Sequence, residues 1–206
     1  MKITRIVQQA KRRDRYSIFV DGRYTFSLGE SALLASGLAA GQELSAGALA
    51  EWKRESADDR LYGAALRYAA MRFRSRWELE QYLHRKGASP ALSSTILNKL
   101  SNIGLLDDAK FAQAFIANRA LLRPTSKRKL QQELRAKHIA DELIGQALHH
   151  NDQTVDDRAA LRAVIAKKRR AARYAHDDAK LMQYLARQGF AYQDIQLALS
   201  SVVDDR

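Results

Sequence analysis

Apolar and polar residues alternate over Tyr16-Ser17-Ile18-Phe19-Val20 and again over Tyr24-Thr25-Phe26-Ser27-Leu28. Both runs are rich in aromatic and β-branched side chains, and a period of two predicts strands with one buried face. Asp21-Gly22 between them is a hairpin signal. A two-residue Asp-Gly loop sets Ile18 opposite Thr25 and splits the apolar residues between faces. A three-residue loop, Val20-Asp21-Gly22 with Gly22 left-handed, pairs Ile18 with Tyr24 and Tyr16 with Phe26, so this loop is preferred. Ile3, Ile6 and Val7 supply the third strand that so small a sheet needs. Lys11 to Arg15 then form the loop between the first two strands.

From Glu30 onward the apolar spacing becomes helical. Ser31 to Gly37 reads as a short helix ended by Gly37. A loop through Gly41 leads to a helix from about Ser45 to Asp59. The rest of the chain repeats. Leu79, Leu130 and Leu181 are 51 residues apart, as are Leu83, Leu134 and Leu185, and Leu97, Leu148 and Leu199. Gly87, His138 and Gly189 hold the same register. Ser75, Ser126 and Asp177 share one phase and are good N-caps, and Ser75 with Glu78 forms a capping box. Asp58, Asp107 and Asp156 recur every 49 residues, each followed by a second Asp. They read as first-turn acids where the first helix of each repeat begins.

Three helices recurring at this period predict an array in which neighbours bury one another's apolar faces. The expected fold is mainly α: a small N-terminal β-hairpin or three-strand region, then three tandem three-helix repeats in an elongated, curved array. The expected divisions are 1–58 for the β-containing region, then repeats at 59–106, 107–153 and 154–206.

Three runs carry a family resemblance. Leu105-Leu106-Asp107-Asp108, followed by Lys110-Phe111-Ala112-Gln113-Ala114-Phe115-Ile116, resembles the entry to the second repeat of the bacterial regulatory family RecX. Lys129-Leu130-Gln131-Gln132-Glu133-Leu134-Arg135-Ala136-Lys137-His138-Ile139 is similar to that family's Leu-x-x-Glu-Leu-x-x-Lys-Gly-Ile run. Arg74-Ser75-Arg76-Trp77-Glu78-Leu79 resembles its Arg-x-Ser-x-x-Glu-Leu run. The resemblance spans about residues 60–200, and the N-terminal hairpin fits it too. It implies a modulator that binds the recombinase RecA or its filament on single-stranded DNA and inhibits recombinase, ATPase and co-protease activity. Some members also bind DNA directly. The family carries no catalytic residues to transfer. One departure is His138, where the family usually has Gly; a non-glycine residue must then end a helix.

Charge changes the picture next. Lys and Arg total 35 against 23 Asp and Glu, a net charge of +12. Residues 1–60 carry +2, 61–108 +3, 109–150 +5 and 151–206 +2. Such an excess points to a polyanion or an acidic protein surface. The cations cluster at Arg72, Arg74 and Arg76; at Lys127-Arg128-Lys129; at Lys167-Lys168-Arg169-Arg170 with Arg173; and at Arg12, Arg13 and Arg15. The first three clusters are the expected filament or DNA contacts, against the alternative of a merely solvated basic face. Lys127 to Lys129 open a helix, whose N-terminal amides add a phosphate or carboxylate site. Tyr68, Phe73, Tyr82, Tyr174, Tyr184 and Tyr192 at helical spacing read as core before they read as base-stacking platforms. Trp52 and Trp77 read as packing residues.

Enzyme classes find little support. There is no phosphate loop, no Gly-x-Gly-x-x-Gly and no His-Glu-x-x-His. The Asp pairs belong to different repeats, and His149-His150 reads as an exposed helix end rather than zinc ligands. No catalytic, metal or cofactor site is expected. The chain has no Cys, no apolar run of membrane-spanning length and no apolar segment behind Met1 of the kind that directs secretion. A cytoplasmic monomer is expected, and the resemblance implies that it acts in recombination, DNA repair and the SOS response. The alternative is a general basic DNA-binding helical-repeat protein without a RecA partner.

Overall fold

The computed structural model describes residues 1–152 and 155–201. The expected repeat boundary at 153/154 and residues 202–206 lie outside the described residues. The chain is mainly helical, with one three-stranded antiparallel sheet of order β1-β2-β3 at its start. It forms two compact units. One comprises Met1–Arg72 with Leu79–Leu105, the other Phe73–Glu78 with the chain from Leu106 onward.

In the first unit, β1 is Ile3–Gln8, β2 Arg15–Val20 and β3 Arg23–Gly29. The turn corrects the expected loop. Asp21 and Gly22 both have positive φ, 48° and 82°, so the hairpin closes through two residues, with Val20 opposite Arg23 and Phe19 opposite Tyr24. Asp-Gly supplies two left-handed positions at little steric cost. The apolar register is recovered one step later, where a bulge sets Ile18 opposite Phe26 and Tyr16 opposite Leu28. The extra residue therefore sits inside the ladder rather than in the turn. Ile3, Ile18, Val20, Phe26 and Leu28 then share one buried face with Leu38 and Leu44. Trp52 stacks on Phe26 with ring centroids 6.5 Å apart.

Helix α1 (Glu30–Ser36) ends at left-handed Gly37, as the sequence predicts. Helix α2 corrects a second expectation. It starts after the Ser45 cap but runs unbroken over Ala46–Ala70, so Asp58-Asp59 lie in its interior and do not begin a new helix. Asp59 is used elsewhere. Its carboxylate accepts the Gly29 N–H at 2.9 Å and pairs with the Arg15 guanidinium at 2.9 Å. Arg15 is therefore not part of a solvated loop: it is 6% exposed and also donates to the Ser27 carbonyl and hydroxyl. The Ser56 hydroxyl donates to Ser27 O and accepts from Ser27 N. Helix α2 thereby satisfies the outer edge of β3, which would otherwise present unpaired backbone groups.

Helices α3 (Arg76–Arg85) and α4 (Pro90–Asn102) follow. Pro90 occupies the first turn of α4, where its missing N–H costs nothing. In the second unit, α5 (Asp108–Leu122), α6 (Lys127–Arg135) and α7 (Asp141–His150) precede α8 (Asp157–Arg169), a single turn α9 (Ala172–Ala175), α10 (Asp178–Arg187) and α11 (Tyr192–Ser201). The leucines that repeat every 51 residues are buried in every instance. The turns after α3, α6 and α10 also match. Gly87, His138 and Gly189 all have positive φ (81°, 58° and 86°). Ala88, Ile139 and Phe190 each donate a backbone N–H to a carbonyl five residues back, on Leu83, Leu134 and Leu185. This is the Schellman closure. His138 adopts the glycine conformation its register demands.

Candidate functional site

The doubled aspartates are built for two tasks. The first of each later pair caps its own helix: Asp107 accepts from Ala109 N and Lys110 N, and Asp156 from Arg158 N. The second reaches to a helix start elsewhere in the second unit. Asp108 accepts the Arg76 N–H at 2.8 Å, and Asp157 accepts the Lys127 N–H at 2.8 Å. Asp59 does the same in the first unit for Gly29.

A helix-ending turn lies against the starts at Arg76 and Lys127. Beside Arg76, the Trp77 ring stacks on His138 at 4.9 Å, and Glu78 pairs with Lys137. Beside Lys127, the fully buried Ser126 hydroxyl donates to Gln188 O at 2.7 Å and accepts from Lys129 N at 3.1 Å. A carbonyl end of one helix thus meets the amide end of another, the favourable sense for their dipoles.

This geometry revises one expectation about the basic clusters. The N-terminal amides of α6 do bind a carboxylate, but it is the chain's own Asp157. What Lys127, Arg128 and Lys129 offer a partner is their side chains. Arg128 is exposed, Lys129 half-buried, and Lys127 pairs with Asp152. That hydrogen bond pushes the Lys127 ammonium up from its ordinary value and the Asp152 carboxyl down.

The third cluster divides. Arg169 donates to Tyr174 O and Ala175 O and pairs with Asp178, so it ends α9. The Lys168 ammonium lies over the Tyr184 ring at 4.4 Å and Arg173 over Tyr174 at 5.6 Å. Lys167, Arg170 and Arg173 are exposed. In the first cluster Arg72 is exposed while Arg74 and Arg76 are half-buried. His149 and His150 are exposed in the last turn of α7. Arg60, Arg67 and Lys86 escape any search for basic runs, because α2 and α3 hold them far apart in sequence. The fold gathers them with Arg12 along one open groove of the first unit.

Asp108 gives a test of this construction. Burial pushes its carboxyl above the ordinary carboxylate range, and Asp107 pushes the same way, against the Arg76 N–H and the Arg76 charge. A raised folded-state value means that stability falls as pH rises from the ordinary to the raised value. Asp108→Ala is expected to lose about 1 kcal/mol at neutral pH, since an N-terminal amide loses its acceptor. Asp108→Asn keeps an acceptor without the buried charge and is expected to lose nothing, while the acid-side gain disappears. Urea denaturation of both variants between pH 4 and 8 measures this, and equal losses in Ala and Asn would refute it.

Three family models match consecutive stretches of the chain. They are the Regulatory protein RecX N-terminal domain over residues 1–45, the first three-helix domain of RecX over 62–100, and the second over 107–148. Regulatory protein RecX of Lactobacillus johnsonii is 30% identical over 212 residues, covering 99% of this chain and 78% of that protein. The Bacillus subtilis protein of the same name is 28% identical over 203 residues, covering 97% and 76%. A crystal structure of regulatory protein RecX matches with a TM-score of 0.73 at 25% identity, over 97% of this chain and 98% of that one. RecX from Lactobacillus salivarius shares the fold, with a TM-score of 0.58 at 24% identity over 71% of this chain and 97% of that one.

Proposed function

The chain belongs to the RecX family of regulatory proteins, and we propose that it binds the RecA recombinase on single-stranded DNA and inhibits its recombinase, ATPase and co-protease activities without catalysis of its own. The observation that carries this reading is the run of three RecX domains matched in order along a chain with a net charge of +12. Its repeats supply separate basic clusters, on Arg72, Arg74 and Arg76, on Lys127, Arg128 and Lys129, and on Lys167, Lys168, Arg170 and Arg173, with Arg169 of the last cluster committed to the α9 turn. Each alone is a weak, screened contact. Several of them engaging successive RecA protomers or the DNA between them give avidity out of proportion to any one. A monomer bound this way blocks subunit exchange or filament growth.

The test is the single-stranded-DNA-dependent ATPase of RecA with the protein titrated in. Inhibition at far fewer than one molecule per RecA supports the reading; no effect at any ratio sinks it. Inhibition only once the DNA itself is saturated favours instead a general DNA-binding protein without a RecA partner. The Lys127→Glu/Arg128→Glu/Lys129→Glu variant is expected to bind the filament at least roughly tenfold more weakly with helicity intact, in line with loss of several charge contacts. Filament affinity unchanged in that variant removes α6 from the contact surface.

A further inference from the structure

One groove of the first unit carries four cations and no carboxylate in its lining. Arg60 and Arg67 stand on α2, Lys86 at the end of α3 and Arg12 in the β1–β2 loop. All four side chains are exposed, and none makes an ion pair among the described residues. The groove holds about 560 Å³. Its floor is uncharged and low, because Ala57, Ala64 and Gly87 contribute almost no side chain. Gly87 is held at φ +81° with open space where a Cβ would stand.

Two features restrict the ligand. Arg60 and Arg67 are seven residues apart on one helix face, about 10 Å. Cations so spaced fit a chain of anions better than a single phosphate. The wall is also aromatic. Tyr82 is fixed by stacking on Tyr68 at 4.2 Å with ring planes 5° apart, and the Lys86 ammonium lies 5.7 Å from the Tyr82 centroid. Arginine binds phosphate bidentately and stacks on flat rings. A phosphodiester chain supplies both phosphates and flat bases, whereas an acidic peptide supplies only charge. We propose that this groove binds the sugar–phosphate backbone of single-stranded nucleic acid directly, through Arg12, Arg60, Arg67 and Lys86. The proposal extends the reading of the chain as a protein that works on a recombinase–DNA filament, and adds a DNA contact that needs no recombinase.

The test uses the full chain, a fluorescein-labelled oligothymidylate and anisotropy over a salt series, without RecA. Arg60→Ala/Arg67→Ala/Lys86→Ala is expected to bind at least roughly tenfold more weakly at low salt, with the slope of log affinity against log salt flatter by about two. The control Arg23→Ala/Lys53→Ala/Arg54→Ala removes the same charge from exposed positions of the same unit and is expected to change little. Equal weakening in both variants, or no binding by the unaltered chain, overturns the proposal. So does labelled polyglutamate binding as tightly and being lost in the groove variant, which assigns the groove to an acidic protein. The RecA ATPase titration separates the two readings. If the unaltered chain inhibits RecA but the groove variant keeps full DNA affinity, the groove alone fails. If the chain binds DNA through the groove but leaves RecA unaffected, the recombinase reading alone fails.

Discussion

Gly189→Ala is expected to destabilise the second unit by about 2–4 kcal/mol, the combined cost of a left-handed non-glycine residue and an overpacked joint. The conformational part comes from φ +86°. The packing part comes from what an added Cβ would meet: Ser126 Oγ at 2.6 Å and the Lys129 backbone nitrogen at 3.2 Å. Neither gives way cheaply. The Ser126 hydroxyl is buried between Gln188 O and Lys129 N, and the Lys129 nitrogen belongs to the first turn of α6. Gly87→Ala separates the two parts. Its φ is +81° and its Cβ would meet nothing within 4 Å, so it is expected to cost only about 1 kcal/mol. Urea denaturation followed by circular dichroism measures both. Equal losses at the two positions would mean that the α10 turn is not seated on α6 as described.

His138 shows why one register position accepts different residues. Its backbone is left-handed like the two glycines, but its ring lies flat on Trp77. The neighbouring helix start offers an aromatic surface there, and at Gly189 it offers a buried hydroxyl. This difference is invisible in the sequence, where the expectation stops at an awkward residue for a helix end. The same division runs through the fold. The leucines at 51-residue spacing were legible because burial in a repeated helix pair demands a fixed period, and Ser75, Ser126 and Asp177 because a cap acts within its own turn. The roles of Asp59, Asp108 and Asp157 were not. Each accepts a backbone N–H about 30 residues away, and only the folded chain brings those groups together. The hairpin register failed for a related reason: alternation reports which face is apolar, but a bulge restores that face without moving the turn. Among the basic residues, adjacency in sequence was a poor guide to surface. Arg15 is interior, Arg169 closes a helix turn, and the groove cations come from three separate elements.

Asp59→Ala is expected to cost the first unit about 3 kcal/mol or more, because it strands a buried charge. The Arg15 guanidinium keeps only its bonds to Ser27, and the Gly29 N–H loses its acceptor. The pair side chains are 7% and 17% exposed, so water screens them little and added salt will not offset the loss. Asp59→Asn separates the contributions. The amide oxygen still accepts from Gly29, so whatever stability it fails to recover belongs to the missing charge. Arg15→Met with Asp59→Leu removes both charges and is expected to recover much of the loss, since an apolar pair avoids the desolvation cost of two ions. Chemical denaturation of the three proteins orders them: Asp59→Ala the least stable, with Asp59→Asn and the double variant above it. If the double variant is as unstable as Asp59→Ala, the pair contributes through specific hydrogen bonding at the α2–β3 contact rather than through compensation of charge. That contact also sets the course of α2, which carries Arg60 and Arg67. Loss of the pair is then expected to weaken the oligothymidylate contact as well, although Asp59 itself lies outside the lining of the groove.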